Sequence, residues 1–180
     1  TCALPISVNI LMADTELDDL TIYLKSLDKA GVDGIIVQDL AVALLARRVV
    51  PDLPLHGSTQ MTVADSDGVC FLEENGFTQA VLSRELSLAD IQSVCASSPL
   101  AIEVFIHGAS CMAYSGQCLM SSFLGGRSGN RGACAQPCRQ PYTLVRDGKA
   151  VMKQEAYVLS LKDLKGLDYI DDLLDAGVTS

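Results

Sequence analysis

Four cysteines, Cys111, Cys118, Cys134 and Cys138, lie within one stretch of 28 residues of the 180-residue chain. Six residues separate the first pair, fifteen the middle pair and three the last pair. Four thiolates are the donor set of a tetrahedral zinc ion or of an iron–sulfur cluster. Structural zinc usually takes short two-residue spacers, which this stretch lacks, whereas cluster sites accept more varied spacing. The spacing therefore favours a cluster, with zinc as the alternative.

Glycine and proline surround these thiols. Glycine lets a backbone wrap closely around a compact group, and Pro137 stiffens the loop directly before Cys138. The alternative is a set of unrelated buried thiols, which is how we interpret Cys2, Cys70 and Cys95. Loop cysteines among glycines and arginines have no core to fill, so the ligand interpretation is preferred for the other four.

The cysteine stretch also overlaps a local excess of positive charge in a chain whose net charge is −9. Residues 125–149 contain five basic residues and one acidic residue, whereas the other 155 residues contain eight basic and 21 acidic residues. An acidic chain does not resemble a general nucleic-acid binder. The local cluster predicts anion binding by Arg127, Arg131 and Arg139, with a solvated surface as the alternative.

Composition limits the class of protein. Hydrophobic residues make up 49% of the chain and aromatic residues 5%, which predicts a globular domain with an aliphatic core. Seven cysteines without a regular framework argue against a secreted disulfide scaffold, so we expect a cytoplasmic protein. No apolar run approaches the roughly 20 residues that span a bilayer, and no signal peptide is visible.

Short apolar segments alternate with amphipathic helical patterns over residues 1–107. Strands are predicted at residues 6–11, 34–38, 54–58, 79–83 and 101–106, and helices at 14–30, 40–49, 65–75 and 87–96. Such alternation predicts a parallel sheet with right-handed crossovers. No Gly-x-Gly-x-x-Gly follows a strand, which disfavours an open dinucleotide-binding sheet. The α/β pattern therefore favours a partial TIM-like (β/α) barrel.

The remaining chain divides into two further segments of the same domain. Residues 108–140 form the cysteine-rich, cluster-binding segment that follows the fifth strand. Residues 141–180 are predicted to contain short strands at 141–146 and 156–161, a turn at 146–149 and a final barrel helix at 163–176. The chain does not begin with Met and ends in a turn that leads into a strand. We therefore expect a fragment that lacks the remainder of its own barrel.

Polar side chains follow each predicted strand. In a (β/α) barrel the catalytic groups lie at the carboxyl ends of the strands. The predicted catalytic residues are Gln38, Asp39, His56, Gln60, Arg84, Glu85, Glu103 and His107. Helix capping is the alternative for Asp39, as it is for Ser58. A carboxylate inside a barrel needs a partner, and Arg84 on the neighbouring strand is the candidate partner of Glu103. A structural ion pair and contact with the substrate are both open for these two residues.

Several motifs closely resemble the signature of the collagenase-like peptidase family, peptidase family U-thirty-two. They are EVFIHGASCMAYSGQCLMSS at residues 103–122, NRGACAQPCR at 130–139 and SLKDL at 160–164. Upstream, VQD at 37–39, STQM at 58–61 and SREL at 83–86 are also similar to this family. The resemblance covers nearly the whole chain and is closest to the ribosomal-RNA hydroxylation branch.

The resemblance implies a TIM-like barrel and a choice of activities. Members were named as peptidases, whereas several relatives are oxygen-independent hydroxylation proteins acting on ribosomal RNA, transfer RNA or ubiquinone precursors. In the ubiquinone relatives, cysteines that match Cys111, Cys118, Cys134 and Cys138 ligate a [4Fe–4S] cluster. The resemblance thus implies the same cofactor here, bound by the same four cysteines.

Three functions remain open. The favoured one is iron–sulfur-dependent, oxygen-independent hydroxylation of RNA, in which the arginines bind RNA phosphate or a small anionic hydroxyl donor. The second is a peptidase acting on a peptide substrate, with Cys111 as nucleophile and His107 as base; there is no His-Glu-x-x-His, and His56 and His107 are on strands that are not neighbours. The third is a non-catalytic module organised by its metal.

Overall fold

Five parallel strands alternate with four helices in the first half of the chain. The computed structural model describes residues 5–152, 154 and 156–180; Cys2, interpreted above as a buried thiol, lies outside the described residues. The elements are β1 (Pro5–Val8), α1 (Leu17–Ala30), β2 (Gly34–Val37), α2 (Leu40–Val49), β3 (Leu55–Gly57), α3 (Ser66–Glu74), β4 (Gln79–Val81), α4 (Leu88–Ser97) and β5 (Ala101–Glu103).

The strands pair in sequence order, β1-β2-β3-β4-β5, and every pairing is parallel. In this register Ile36 lies opposite Ser7 on one side and His56 on the other. The α/β prediction is confirmed. Within the part of the chain that the structure describes, the large sheet is open and its barrel closure stays a prediction. Residues 178–180 run alongside β5, where the Thr179 amide donates to the Ile102 carbonyl at 2.9 Å.

Local signals explain where the helices begin and end. Leu20, Leu24 and Leu27 recur at helical spacing and are all buried on α1. Gly31 ends that helix in the left-handed conformation, with φ of 71°. Asp39 caps α2 by accepting a 2.7 Å hydrogen bond from the Ala41 amide. These helices pack against the fully buried side chains of the strands, and the opposite side of the sheet is left for the polar residues.

The second half of the chain has little regular structure. Its helices are α5 (Met120–Gly125) and α6 (Ile170–Asp175), and its short strands are β6 (His107–Gly108), β7 (Val145–Arg146), β8 (Lys149–Ala150) and β9 (Leu164–Lys165). β7 and β8 form a hairpin, which confirms the predicted turn at 146–149. Asp147 and Gly148 both have positive φ in this turn.

Two predictions for residues 141–180 are wrong in extent. The final helix begins at Ile170 instead of near residue 163, because Leu164–Lys165 pairs with β6 and Leu167–Tyr169 forms a single 3-10 turn. The strand predicted at 156–161 is reduced to one bridge between Ala156 and Tyr142. The division of the chain into three segments stays a prediction.

The isolated cysteines also differ from expectation. Cys70 is exposed, so its interpretation as a buried thiol is wrong. It follows Val69 on α3, and a one-residue step along a helix turns the side chain about 100° from the buried side. Cys95 is partly buried, and burial raises the pKa of its thiol. No helix in the described parts of the chain is long and apolar enough to cross a bilayer.

Candidate functional site

A cavity of about 320 Å³ lies where the carboxyl ends of the strands meet the cysteine-rich segment. Strands and strand ends contribute much of its wall, including Ser7, Asn9, Ile36, Gln60, Arg84 and Glu103. The cysteine-rich segment contributes Cys111, Ser115 and Gly116. Three predicted catalytic residues, Gln60, Arg84 and Glu103, thus share one cavity with the first cysteine of the predicted ligand set. Neutral amides, one cation and one carboxylate line it together.

Glu85 positions the cysteine-rich segment above this cavity. One oxygen of its carboxylate accepts a 2.9 Å hydrogen bond from the Ser115 amide. The Ser115 hydroxyl lies 2.9 Å from the Ser83 hydroxyl, and its side chain is 2% exposed. Ser115 adopts a φ of 49°, a conformation that non-glycine residues rarely take and that tertiary contacts must hold. Ser115 was not among the predicted site residues, and no local pattern marks it.

Arg84 contacts the start of the same segment. Its Nη1 donates to the Ala109 carbonyl at 2.9 Å, and its guanidinium carbon lies 4.0 Å from the centroid of the Phe105 ring. The candidate ion pair between Arg84 and Glu103 is therefore wrong. Glu103 instead accepts a hydrogen bond from Gln79 of β4, while Arg84 lies three residues beyond that strand and reaches further along the chain.

The two histidines lie apart from the cavity wall. His56 is half-buried on β3, and its Nδ1 has no hydrogen-bond partner among the described residues. Burial lowers the pKa of His56, and the nearby charge of Glu103 opposes this only in part. His107 is exposed on β6, opposite Lys165 of β9. The two histidines therefore lie on strands that are not neighbours, as the sequence predicted.

Two strand-end residues have structural partners. Asp39 is the cap of α2, and its second oxygen accepts a 2.8 Å hydrogen bond from the Met12 amide. Ser58 caps the short turn that follows β3 by accepting from the Gln60 amide at 3.0 Å. The capping alternative is confirmed for both. Gln38 is buried outside the cavity lining and contacts the backbone of two other segments, as described below.

The three arginines predicted to bind anions all contact the protein itself. Arg131 donates to the Leu11 carbonyl at 2.7 Å and forms an ion pair with Glu16 at 2.6 Å. Arg127 is exposed and donates from Nε to the Ala133 carbonyl at 3.0 Å. Of these two, only Arg131 has a carboxylate partner in the described structure.

Arg139 connects the last cysteine of the set to the first. Its guanidinium donates to the Ser110 carbonyl at 2.9 Å and lies 3.3 Å from the Asp163 carboxylate. Ser110 directly precedes Cys111, and Arg139 directly follows Cys138. The contact therefore holds the backbone beside Cys138 close to the backbone beside Cys111.

The sulfur atoms of the two middle cysteines accept backbone hydrogen bonds. Cys118 Sγ accepts a hydrogen bond from the Met120 amide at 3.4 Å, and Cys134 Sγ accepts from the Gln136 amide at 3.3 Å. Gly129 lies close to both of these cysteines. A Cβ atom added at Gly129 would be 3.5 Å from Cys134 Cβ and 3.7 Å from the Cys118 carbonyl oxygen.

The four thiols are the right type of donor for a cluster, but in this structure they are not close enough together to share one. Among the described residues, no group of three or more His, Cys, Asp or Glu side chains is close enough to hold one metal ion. Hydrogen bonds already connect different parts of the cysteine-rich segment. The Ala135 amide, for example, donates to the Ser121 hydroxyl at 2.9 Å. A bound cluster requires these loops to approach one another further.

The Glu16–Arg131 ion pair predicts a measurable titration. Hydrogen bonds from Arg131 and from the Ala13 amide lower the pKa of Glu16 from 4.5 to about 2. A lowered pKa means that the contact is fully present above pH 4.5 and is lost as pH falls through about 2. We expect Arg131→Met to return the pKa of Glu16 towards 4.5 in an NMR titration of its carboxyl carbon.

Arg127→Met is the matched control, because Arg127 is also an exposed arginine of the cysteine-rich segment and its described contact is to Ala133. The control should leave the pKa of Glu16 unchanged. An unchanged pKa in Arg131→Met would contradict the ion pair.

Comparison with known proteins identifies the family. Residues 2–180 match the family described as Peptidase family U32. This chain belongs to that family. It is 42% identical over 175 residues to the 23S rRNA 5-hydroxycytidine synthase of Escherichia coli, covering 97% of this chain and 26% of that protein. It is 38% identical over 143 residues to the tRNA hydroxylation protein P of Escherichia coli, covering 79% and 31%.

A further relative is named as a collagenase and not as a hydroxylation protein. The chain is 32% identical over 187 residues to a collagenase of Porphyromonas gingivalis, covering 96% of this chain and 44% of that protein. The chain thus spans less than half the length of these relatives. Among solved structures, the U32 peptidase Mk0906 matches with a TM-score of 0.47 and 15% identity, covering 59% of this chain and 47% of that one.

Proposed function

We propose that this protein catalyses oxygen-independent hydroxylation of RNA, and that Cys111, Cys118, Cys134 and Cys138 hold a [4Fe–4S] cluster. The observation that carries the proposal is the position of Cys111 in the wall of the strand-end cavity. A group held by the cysteine-rich segment would therefore face the same compartment as the polar strand ends. Relatives named for hydroxylation of ribosomal RNA and of transfer RNA support the choice of substrate.

The cavity suits one exposed nucleobase better than a folded stretch of RNA. Its volume is about 320 Å³, and enzymes that modify a base take it out of the stack into a pocket of this kind. Asn9 and Gln60 each carry a side-chain NH₂ group that can donate to the edge of a base. Asn9 Nδ2 donates to the side-chain oxygen Oε1 of Gln60 at 2.9 Å, so the two side chains are already oriented relative to each other.

Arg84 and Glu103 would act on opposite kinds of group in the same cavity. The Arg84 guanidinium is suited to binding an anionic substrate group, and the Glu103 carboxylate accepts protons or hydrogen bonds. Replacing C–H by C–OH removes two electrons from the RNA carbon, so a hydroxyl donor other than oxygen must accept them. A bound cluster would supply electron transfer.

Arg127 is the arginine of the cysteine-rich segment that we propose for the anionic donor or an RNA phosphate. Arg131 and Arg139 are each within ion-pair distance of a carboxylate, whereas Arg127 has no such partner in the described parts of the chain. Arg127 is also exposed. Its predicted role in anion binding is therefore retained, and we propose that Arg131 and Arg139 primarily hold the segment in place.

Peptide hydrolysis is the second candidate, favoured by the collagenase relative. Cys111 lines the cavity and would be the nucleophile. In the described structure neither histidine is hydrogen-bonded to a cysteine, and His107 is exposed on β6. A cysteine nucleophile needs a nearby base to form its thiolate, so the geometry supports hydroxylation better. The third possibility is that a zinc ion or cluster only organises the segment.

The deciding experiment uses the full-length protein purified without oxygen. We expect about four iron and four sulfide per chain. We also expect a hydroxylated nucleoside to disappear from ribosomal or transfer RNA when the gene is deleted, and to return when it is restored. Unchanged RNA together with gelatin hydrolysis would favour the peptidase, and a colourless zinc protein would favour the organised module.

A further inference from the structure

A buried amide network joins the cysteine-rich segment to the ends of β1 and β2. Gln38 follows β2 directly and is 7% exposed. Its Nε2 donates to the Asn9 carbonyl at 2.8 Å and to the Asn130 carbonyl at 3.2 Å. Asn9 follows β1, whereas Asn130 belongs to the segment between Cys118 and Cys134. One side-chain amide thus links three parts of the chain.

The orientation of the Gln38 amide is determined by its partners. Both partners are carbonyl oxygens, so the NH₂ group must face them and the amide cannot be reversed. Gln38 Oε1 is consequently left buried without a hydrogen-bond partner in the described structure, as are Asn9 Oδ1 and Asn130 Oδ1. A buried unpaired oxygen costs free energy. An apolar residue of the same size would avoid that cost but would supply neither hydrogen bond.

Asn130 is also held from the other side. Its carbonyl accepts a second hydrogen bond, at 3.0 Å, from the Leu11 amide. Arg131, the next residue, contacts the Leu11 carbonyl and Glu16. The stretch between Cys118 and Cys134 is therefore attached to the residues that follow β1 by an exposed ion pair and by the Leu11–Asn130 hydrogen bond, and to the end of β2 by the buried Gln38 amide. Unlike the ion pair, the buried amide is shielded from salt and has no titratable group.

We propose that Gln38 is a positioning residue whose carboxamide holds the stretch between Cys118 and Cys134 over the strand ends. This inference rests on the proposed function, because it gives the held segment its cluster-binding role. In this proposal Gln38 acts by holding Asn130 in place. The position of Gln38 at a strand end had instead predicted a direct catalytic role. The two N–H donors of the amide are the feature that an isosteric apolar side chain lacks.

The test compares Gln38→Met with Gln92→Met in the full-length protein. Methionine has nearly the volume of glutamine and suits a buried position, but it has no donor. Gln92 is an exposed glutamine on α4, so the control makes the same chemical change away from the network. Hydrogen–deuterium exchange of the Leu11 amide is measured on iron-free protein, because this amide donates to Asn130.

We expect the Leu11 amide to exchange about tenfold faster in Gln38→Met and at the wild-type rate in Gln92→Met. Iron loss from the loaded protein to a chelator should also be about fivefold faster in Gln38→Met. An unchanged Leu11 exchange rate in a folded Gln38→Met protein overturns the inference. Faster exchange with unchanged iron loss overturns it as well, because the contact would then be structural only.

Failure of the proposed function gives a different result. If the wild-type protein binds no iron, the cluster proposal fails, while amide exchange still decides whether Gln38 holds the segment. Should Gln38→Met not fold, Gln38→Asn replaces it, because the shortened amide stays polar but cannot reach both carbonyls. Faster exchange of the Leu11 amide then supports the inference, and an unchanged exchange rate overturns it.

Discussion

Cys118→Ser and Cys134→Ser are each expected to lower the bound iron of the full-length protein by about tenfold or more. A serine hydroxyl is not deprotonated at neutral pH and is a poor ligand for iron in a cluster. Each substitution also removes a sulfur that accepts a backbone hydrogen bond, from Met120 and Gln136 respectively. Anaerobic iron and sulfide analysis, with absorbance near 400 nm, measures the effect. Cys111→Ser and Cys138→Ser should behave in the same way.

Cys70→Ser is the matched control, because Cys70 is exposed on α3 and lies outside the cysteine-rich segment. It should retain the full iron content and colour. Wild-type iron content in all four variants of the cysteine-rich segment would rule out the proposed ligand set. If three variants lose iron and Cys138→Ser retains it, the cluster proposal stands, but a residue other than Cys138 supplies the fourth ligand.

Arg84→Met is expected to lower the yield of hydroxylated nucleoside by about 100-fold, the size of effect seen when a positioned donor is removed from a reaction site. The substitution removes a positive charge from the cavity wall and the 2.9 Å hydrogen bond to the Ala109 carbonyl. The contact with the Phe105 ring is lost as well. Mass spectrometry of RNA from a deletion strain that carries each variant gives the yield.

Arg48→Met on α2 is the control for charge, because Arg48 is exposed and lies on a helix rather than in the cavity wall. It should support wild-type yield. Arg84→Lys keeps the charge but not the planar fork, so we expect it to recover only part of the activity. Wild-type yield in Arg84→Met would show that the cation is not needed for the reaction.

Local chemistry explains which parts of the fold could be predicted. The helix ends at Gly31 and the cap at Asp39 depend on residues within one or two turns of each other, so their signals are adjacent in the sequence. The five strands were recognisable because apolar runs and turn residues recur between the helices. The final helix was placed too early, because pairing of Leu164–Lys165 with His107–Gly108 depends on contact with a distant segment.

At the candidate site, the difference between local sequence signals and contacts between distant residues is larger. The cysteines, the strand-end polar residues and the excess of arginine are visible in the sequence. Because few kinds of chemistry use these residue types together, the possible roles of these residues can be predicted. Which arginine meets which carboxylate is not visible. Arg131 pairs with Glu16 across 115 residues, and Arg84 contacts Ala109 instead of the expected Glu103.

The amino-acid sequence was sufficient to predict the parallel α/β framework, the family and the candidate ligands, because periodicity, caps and motif spacing are local properties of the chain. The three-dimensional structure was needed to show that Gln38 contacts Asn130 across 92 residues, that Glu85 holds Ser115, and that Cys111 shares a cavity with Arg84. Charge and polarity allow many such partnerships, and the path of the backbone through space selects among them.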